Sequence, residues 1–270
     1  MKQTTKAKYV TFITAAFFLI GFLLCVFHKP VKVSKSERRY LAMFPKFTVE
    51  GILSGKDINA FEDYTLDQFP YRDTVRTIKA LTQFQVFGQK DNNKIYVKDG
   101  KIYKIIYPLS ESSIVGAANK FNNLYEKYFK DTEVSLYYSV IPDKSYFVAS
   151  KTGYPSLNDE RLVSLLQQTL HSDFQYINLY DCLTEDDYYK TDTHWKQQNL
   201  SKVVDRISSE MGFESYITNS YTETTYEPFY GVYYGQSSLP MKPDTLTYLR
   251  NDIIDQCEVY NFETNQTTGV

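Results

Sequence analysis

At 270 residues the chain has room for one membrane anchor and one large domain or two small ones. A formal net charge of −2 leaves no basic footprint for nucleic acid, and 43% hydrophobic residues are enough for a real core. The 25 tyrosines invite a sugar-binding face of stacked rings, but the plainer reading holds for most of them: tyrosine is a good strand residue with an amphipathic body.

Lys2, Lys6 and Lys8 precede a charge-free run from Tyr9 to Phe27, long enough to cross the bilayer core. A cleaved signal peptide competes, since both begin basic and turn apolar. The run exceeds most signal cores, and His28-Lys29-Pro30 follows it in place of a small-x-small cleavage site. An uncleaved signal anchor is therefore expected. Leu24 before Cys25 makes a poor lipidation site. Lys29, Lys32, Lys35, Arg38 and Arg39 rival the N-terminal lysines, so the positive-inside rule does not decide the orientation.

A short basic linker leads to two predicted helices, over residues 55–71 with Pro70 as terminator and over 74–87 with Gly88 as stop. Residues 93–107 predict a hairpin around Lys98-Asp99-Gly100-Lys101. Alternation follows: a helix over 112–129, a strand over 134–141 whose apolar run suggests burial on both faces, a helix over 159–171, and a strand over 174–179. The pattern predicts an α/β fold with a parallel sheet covered on both faces. In such folds catalytic groups sit beyond the carboxyl ends of strands. Pro142-Asp143-Lys144-Ser145 and Asp181 occupy such positions.

Tyr188-Tyr189-Lys190-Thr191-Asp192-Thr193-His194-Trp195 holds one of three histidines and the only tryptophan. In an extended segment Asp192 and His194 point to the same side. The carboxylate then fixes the imidazole tautomer and leaves the other ring nitrogen as a base, two thirds of a nucleophile–base–orienter triad. Leu200, Val203, Val204, Ile207 and Met211 follow with helical spacing up to Gly212. A helix starting there would put its positive end near His194 and favour a neutral ring. A plain helix N-cap is the bland reading of Thr191-Asp192-Thr193. Tyr188, Tyr189, Trp195 and Lys144 are the candidates for substrate contact. A cation held by Asp186, Asp187, Asp192 and His194 is a weaker alternative, because a Tyr-Tyr-Lys run separates the acids and no second histidine is near; no metal and no cofactor is expected. His171 reads as a favourable charge at a helix C-terminus.

Asp-Thr-His-Trp after Tyr-Tyr-Lys-Thr resembles the signature of the bacterial DHHW protein family, which is similar to the SGNH-hydrolase-like domains that O-acetylate exopolysaccharides such as alginate. The resemblance runs from about residue 36: Ser36 to Leu41 with Phe44-Pro45, Phe61 to Tyr64, Asp67 to Asp73, Ile95 to Gly100, Ile141 to Lys144, and Phe229 to Gly235. It implies a three-layer SGNH-hydrolase-like (flavodoxin-like) parallel sheet behind an N-terminal transmembrane helix. It divides the chain into a tail and anchor (1–30), a linker with two helices and the hairpin (31–110), and a partial α/β domain (111–270). The resemblance implies Asp192 and His194 as orienter and base, a cell-surface polysaccharide as substrate, a membrane-bound acyltransferase as partner, and a single-pass protein with its domain outside the cell membrane.

One departure stands out. The family's nucleophilic serine lies in a Gly/Asp-Ser block well after the Asp-x-His motif, and none follows Glu258. The chain is therefore expected to be C-terminally truncated, with an incomplete sheet. Gly235-Gln236-Ser237-Ser238 is a poor substitute, since no buried strand leads into Ser237. The competing expectation is an anchored glycan-binding or accessory protein without a nucleophile. Cys182 and Cys257 are left open as a disulfide or two thiols.

Overall fold

The computed structural model describes residues 3–213 and 221–269. Contacts divide the chain into two units, residues 1–89 with 238–240, and residues 90–237 with 241–270. In the first, α1 (Gln3–Phe27) is the one helix among the described residues long and apolar enough to cross a membrane. β1 (Val33–Ser34) and β2 (Arg39–Tyr40) form a short antiparallel clip. Then come α2 (Val49–Leu53), α3 (Lys56–Asp67) and α4 (Arg72–Leu81), the last running into a π-helical turn, Thr82–Val86. The helix predicted to reach residue 87 thus changes its winding after Leu81. The buried Gln68 side chain accepts the Val31 N–H at 2.8 Å and donates to the carbonyls of Val31 and Ala42, both at 2.9 Å. It pins the segment after α1 to the corner between α3 and α4.

The second unit opens with the expected hairpin, β3 (Ile95–Lys98) and β4 (Lys101–Lys104). Asp99 and Gly100 both take positive φ, at 48° and 74°, as a tight hairpin turn requires. α5 (Glu111–Tyr128), β5 (Leu136–Ser139), α6 (Ala149–Thr152), α7 (Asp159–Thr169) and β6 (Phe174–Ile177) follow. β5 and β6 pair in parallel. Asn122 joins α5 to the end of α7, donating to Thr169 O and accepting the His171 N–H, both at 2.8 Å. α8 (Ser201–Met211) ends at Gly212, whose φ of 73° is the left-handed cap expected there. β7 (Thr222–Phe229) and β8 (Asp244–Arg250) pair antiparallel around α9 (Val232–Ser237), and β9 (Glu258–Asn261) pairs with β10 (Gln266–Gly269).

The architecture is mixed α/β built from two-stranded sheets. The only parallel ladder among the described residues is the β5–β6 pair, so the parallel sheet expected to be incomplete is here a two-stranded one. The burial of its first strand needs correction. β5 is half-buried to exposed instead of buried on both faces. Its apolar run contains Tyr137 and Tyr138, whose amphipathic bodies tolerate partial solvent contact. The core of this unit gathers Ile177, Leu179, Cys182, Leu183, Tyr188 and Val203, with Trp195, Leu200 and Ile207 packed against them. Cys182 is a buried thiol and Cys257 an exposed one, so the two do not form a disulfide.

Candidate active site

The path to the motif begins after β6. A single 3₁₀ turn, Glu185–Asp187, is capped by Asp187, which accepts the Thr184 N–H at 2.7 Å and the Thr184 hydroxyl at 2.8 Å. An antiparallel bridge between Tyr188 and Trp195 then closes the motif into a loop. Tyr189 N donates to His194 O at 3.2 Å, and Lys196 N to Asp187 O at 2.7 Å.

Within the loop the backbone and side chains of Thr191 and Asp192 find specific partners. The Asp244 carboxylate accepts the N–H of Lys190 at 2.9 Å, and the N–H and hydroxyl of Thr191 at 2.7 Å each. Gly231 N donates to the Thr191 hydroxyl at 2.9 Å, and Tyr234 N to the Thr191 carbonyl at 3.1 Å. Gly231 comes so close that a Cβ would sit 2.3 Å from Thr191 O. Asp192 has no exposed surface. Its Oδ2 accepts the Val232 N–H at 2.8 Å; its Oδ1 accepts the His194 N–H at 2.9 Å and faces His194 Nδ1 at 2.5 Å. Burial alone would raise the Asp192 carboxyl, but these three bonds outweigh it and hold the group below its ordinary value. An ionised carboxylate only accepts, so Nδ1 carries the proton and, in the neutral ring, Nε2 is left with its lone pair. The His194 side chain is 70% exposed beside this wholly buried partner.

The pair thus meets, but by a different route than the sequence suggested. Residues 191–194 bend rather than extend. Asp192 catches the N–H two residues on, as aspartates in turns do, and that bond carries the imidazole to the same oxygen. The helix dipole plays no part. Another 3₁₀ turn, Gln197–Asn199, intervenes and α8 begins only at Ser201, whereas the dipole acts within a turn of the helix end.

The residues expected to meet substrate are mostly inside. Tyr188 is buried and donates to Pro142 O at 2.6 Å; buried Tyr189 packs its ring against Phe229 with centroids 5.1 Å apart. Lys144 is fully buried, and Trp195 packs partly buried on the core. Burial leaves Tyr188, Tyr189 and Lys144 no face for a ligand; they hold the loop from beneath. Ser237 is likewise fully buried at the end of α9, its hydroxyl donating to Tyr234 O at 3.1 Å. Among the described residues no hydroxyl is hydrogen-bonded to His194 Nε2. No three metal-ligating side chains come together among them either. Asp186 pairs with Lys101 at 2.8 Å, and Asp187 is spent on its cap and on Asn199.

Sequence reasoning passed over Asp244, which carries no local signal. It noticed Gly231 within a tyrosine-rich block without a role for it, and the tight approach to Thr191 supplies that role.

No protein-family model matches the chain, and no curated protein matches it in sequence. Solved structures do. PatB1 of Bacillus cereus superposes with a TM-score of 0.51 at 15% identity, covering 66% of this chain and 66% of PatB1. The two share a fold. PatB1 with a sulfonyl adduct gives 0.50 at 16% identity, over 65% of this chain and 63% of that one. A DHHW family protein from Eubacterium siraeum DSM 15702 gives 0.47 at 18%, over 59% and 55%. The chain spans slightly less than two thirds of PatB1.

Proposed function

We propose that this is an SGNH-like acyl-transfer protein held at the outer face of the cell membrane, acting on acetyl esters of a cell-surface polysaccharide. The observation that carries the reading is a buried, ionised Asp192 gripping Nδ1 of an exposed His194. In this reading Nε2 takes the proton of a serine hydroxyl as its oxygen attacks the acetyl carbonyl. The acetyl group moves to the serine, and the proton is returned to the departing oxygen. A glycan hydroxyl or water then attacks the acyl-serine by the same proton path in reverse. A membrane-embedded acyltransferase supplies the acetyl group.

The test compares acetyl-ester hydrolysis and acetyl transfer to an oligosaccharide in the wild type, His194→Ala and Asp192→Asn. Both variants should lose about 10²-fold or more in rate. His194→Ala should cost about 1–2 kcal/mol of stability, because the buried Asp192 carboxylate loses its Nδ1 partner and keeps only the two backbone N–H bonds. A wild-type rate independent of His194 would sink the catalytic reading. What remained would be an anchored glycan-binding or accessory protein, the reading favoured by the lack of a hydroxyl bonded to Nε2 among the described residues. The anchor is tested separately: mass spectrometry of the membrane fraction should find residues 9–27 in the mature protein. A mature N-terminus near Pro30 would refute it.

A further inference from the structure

Lys144 is a charged side chain with no surface at all, and the chemistry above does not use it. It follows β5 in a 3₁₀ turn, Lys144–Phe147, capped by Asp143, which accepts the Ser145 N–H at 2.9 Å. Nζ donates to the carbonyls of Tyr189 at 2.8 Å and Lys190 at 3.1 Å, the two residues entering the bend that carries Asp192. The faces of Tyr103 and Tyr233 flank it, with Nζ 5.3 Å and 5.1 Å from the ring centres. Tyr233 in turn donates to Asp143 at 3.0 Å. The neighbouring Tyr188 hydroxyl bonds to Pro142 O. Segment 142–144 therefore grips the incoming arm of the loop at three consecutive residues, Tyr188, Tyr189 and Lys190.

We propose that Lys144 is a positioning residue for the Asp192–His194 pair, its amino group fixing the arm of the loop from which both side chains are presented. The catalytic consequence rests on the acyl-transfer reading; the positioning does not. The physical case is one of satisfaction. The Lys190 carbonyl also accepts the Ile102 N–H at 2.8 Å, but among the described residues the Tyr189 carbonyl has only Lys144. Removing the amino group would leave a buried carbonyl without a donor at the point where the loop begins to turn. Burying a lysine is costly unless the cation is compensated. Here the carboxylates of Asp143, Asp244 and Asp192 face it, each from a different segment, while Lys101 on β4 opposes it. Burial outweighs the carboxylates and pushes the amine down to about 7, so the group gripping the loop titrates in the neutral range.

The experiment is NMR on the full chain in detergent micelles, needing no turnover. In Lys144→Met, of similar length and without charge or donor, amide exchange at Tyr189, Thr191 and His194 should rise about tenfold. Exchange along α7 should stay unchanged, and the Nδ1 proton shared between His194 and Asp192 should broaden or vanish. A general loss of stability would raise exchange in α7 as well. Unchanged exchange in the loop with an intact Nδ1 proton would overturn the proposal. If Lys144→Met does not fold, the wild type still decides. The Lys144 side-chain resonances should titrate near neutral pH together with the Tyr189 and Lys190 carbonyl shifts. Carbonyl shifts indifferent to that titration would overturn the proposal. An inactive chain whose loop still depends on Lys144 keeps this inference and sinks only the acyl-transfer reading.

Discussion

The motif loop and the β9–β10 hairpin are both short reversals of the chain, built in opposite ways. The loop is held by partners far away in sequence: Asp244, Gly231, Val232 and Lys144 lie 40 to 54 residues from the groups they bond. The hairpin is held by itself. The Asn261 side chain accepts the N–H of Glu263 at 2.9 Å and of Thr264 at 3.1 Å, and the Tyr260 hydroxyl reaches Asn265 at 2.9 Å. Every strand residue in it is exposed. Tertiary structure shapes the first and turn chemistry the second. One kind of substitution should therefore have very different effects in the two places.

The sharpest way to break this contrast is a single methyl group. In Gly231→Ala the new Cβ would lie 2.3 Å from Thr191 O and 2.4 Å from Asp192 Cβ. Backbone and a wholly buried side chain stand there, so nothing flexible can yield. The variant should lose about 3 kcal/mol or more in urea unfolding, and His194-dependent activity with it. Gly269→Ala in β10, with nothing within 4 Å, should stay within about 0.5 kcal/mol. Equal losses at the two sites would mean that the loop is no more constrained than the hairpin.

The same contrast explains what could be read from sequence. Local features were legible. Asp99-Gly100 announced its turn, Gly212 its helix end, and Asp192 and His194 lay close enough to meet in almost any compact conformation. What failed depended on distant partners. Nothing in the strand beginning at Asp244 reveals that its carboxylate serves Lys190 and Thr191. The burial of Tyr188 and Tyr189 follows from their contacts with Pro142, Lys144 and Phe229, and that of Lys144 from the loop carbonyls and the rings of Tyr103 and Tyr233, none of which is local in sequence, so all three looked like ligand contacts. The start of α8 was placed too early because Leu200 fits the apolar stripe while lying before the first α-helical turn.

A smaller effect comes from pH. The Lys144 amine sits at about 7 in the fold against an ordinary value of 10.5. Between those values the unfolded chain holds a proton that the folded chain has released, so stability rises with pH. The contribution should be about 2 kcal/mol between about pH 7 and pH 9. The gain should reverse near about pH 10. There burial keeps Tyr103, Tyr180, Tyr188 and Tyr233 protonated in the fold, while exposed tyrosines ionise in the unfolded chain. Urea midpoints across this range test both limbs. In Lys144→Met the rising limb should disappear and the falling limb remain.

The smallest expected effect lies in the hairpin. Asn261→Ala removes two of the three side-chain bonds that close its turn, leaving that of Tyr260 to Asn265, and touches no buried group. An exposed two-stranded hairpin is marginal by itself, so losing about 1 kcal/mol of turn stabilisation is enough to fray it. Because β9 and β10 form a separate two-stranded sheet, fraying should not reach the core. Hydrogen exchange at Thr267 and Gly269 should accelerate severalfold, while the global urea midpoint moves by no more than the equivalent of about 0.5 kcal/mol. The activity ratio between wild type and His194→Ala should not change. A drop in the global midpoint comparable to that of Gly231→Ala would show that the hairpin is coupled to the loop. The division between a locally and a distantly encoded reversal would then be wrong.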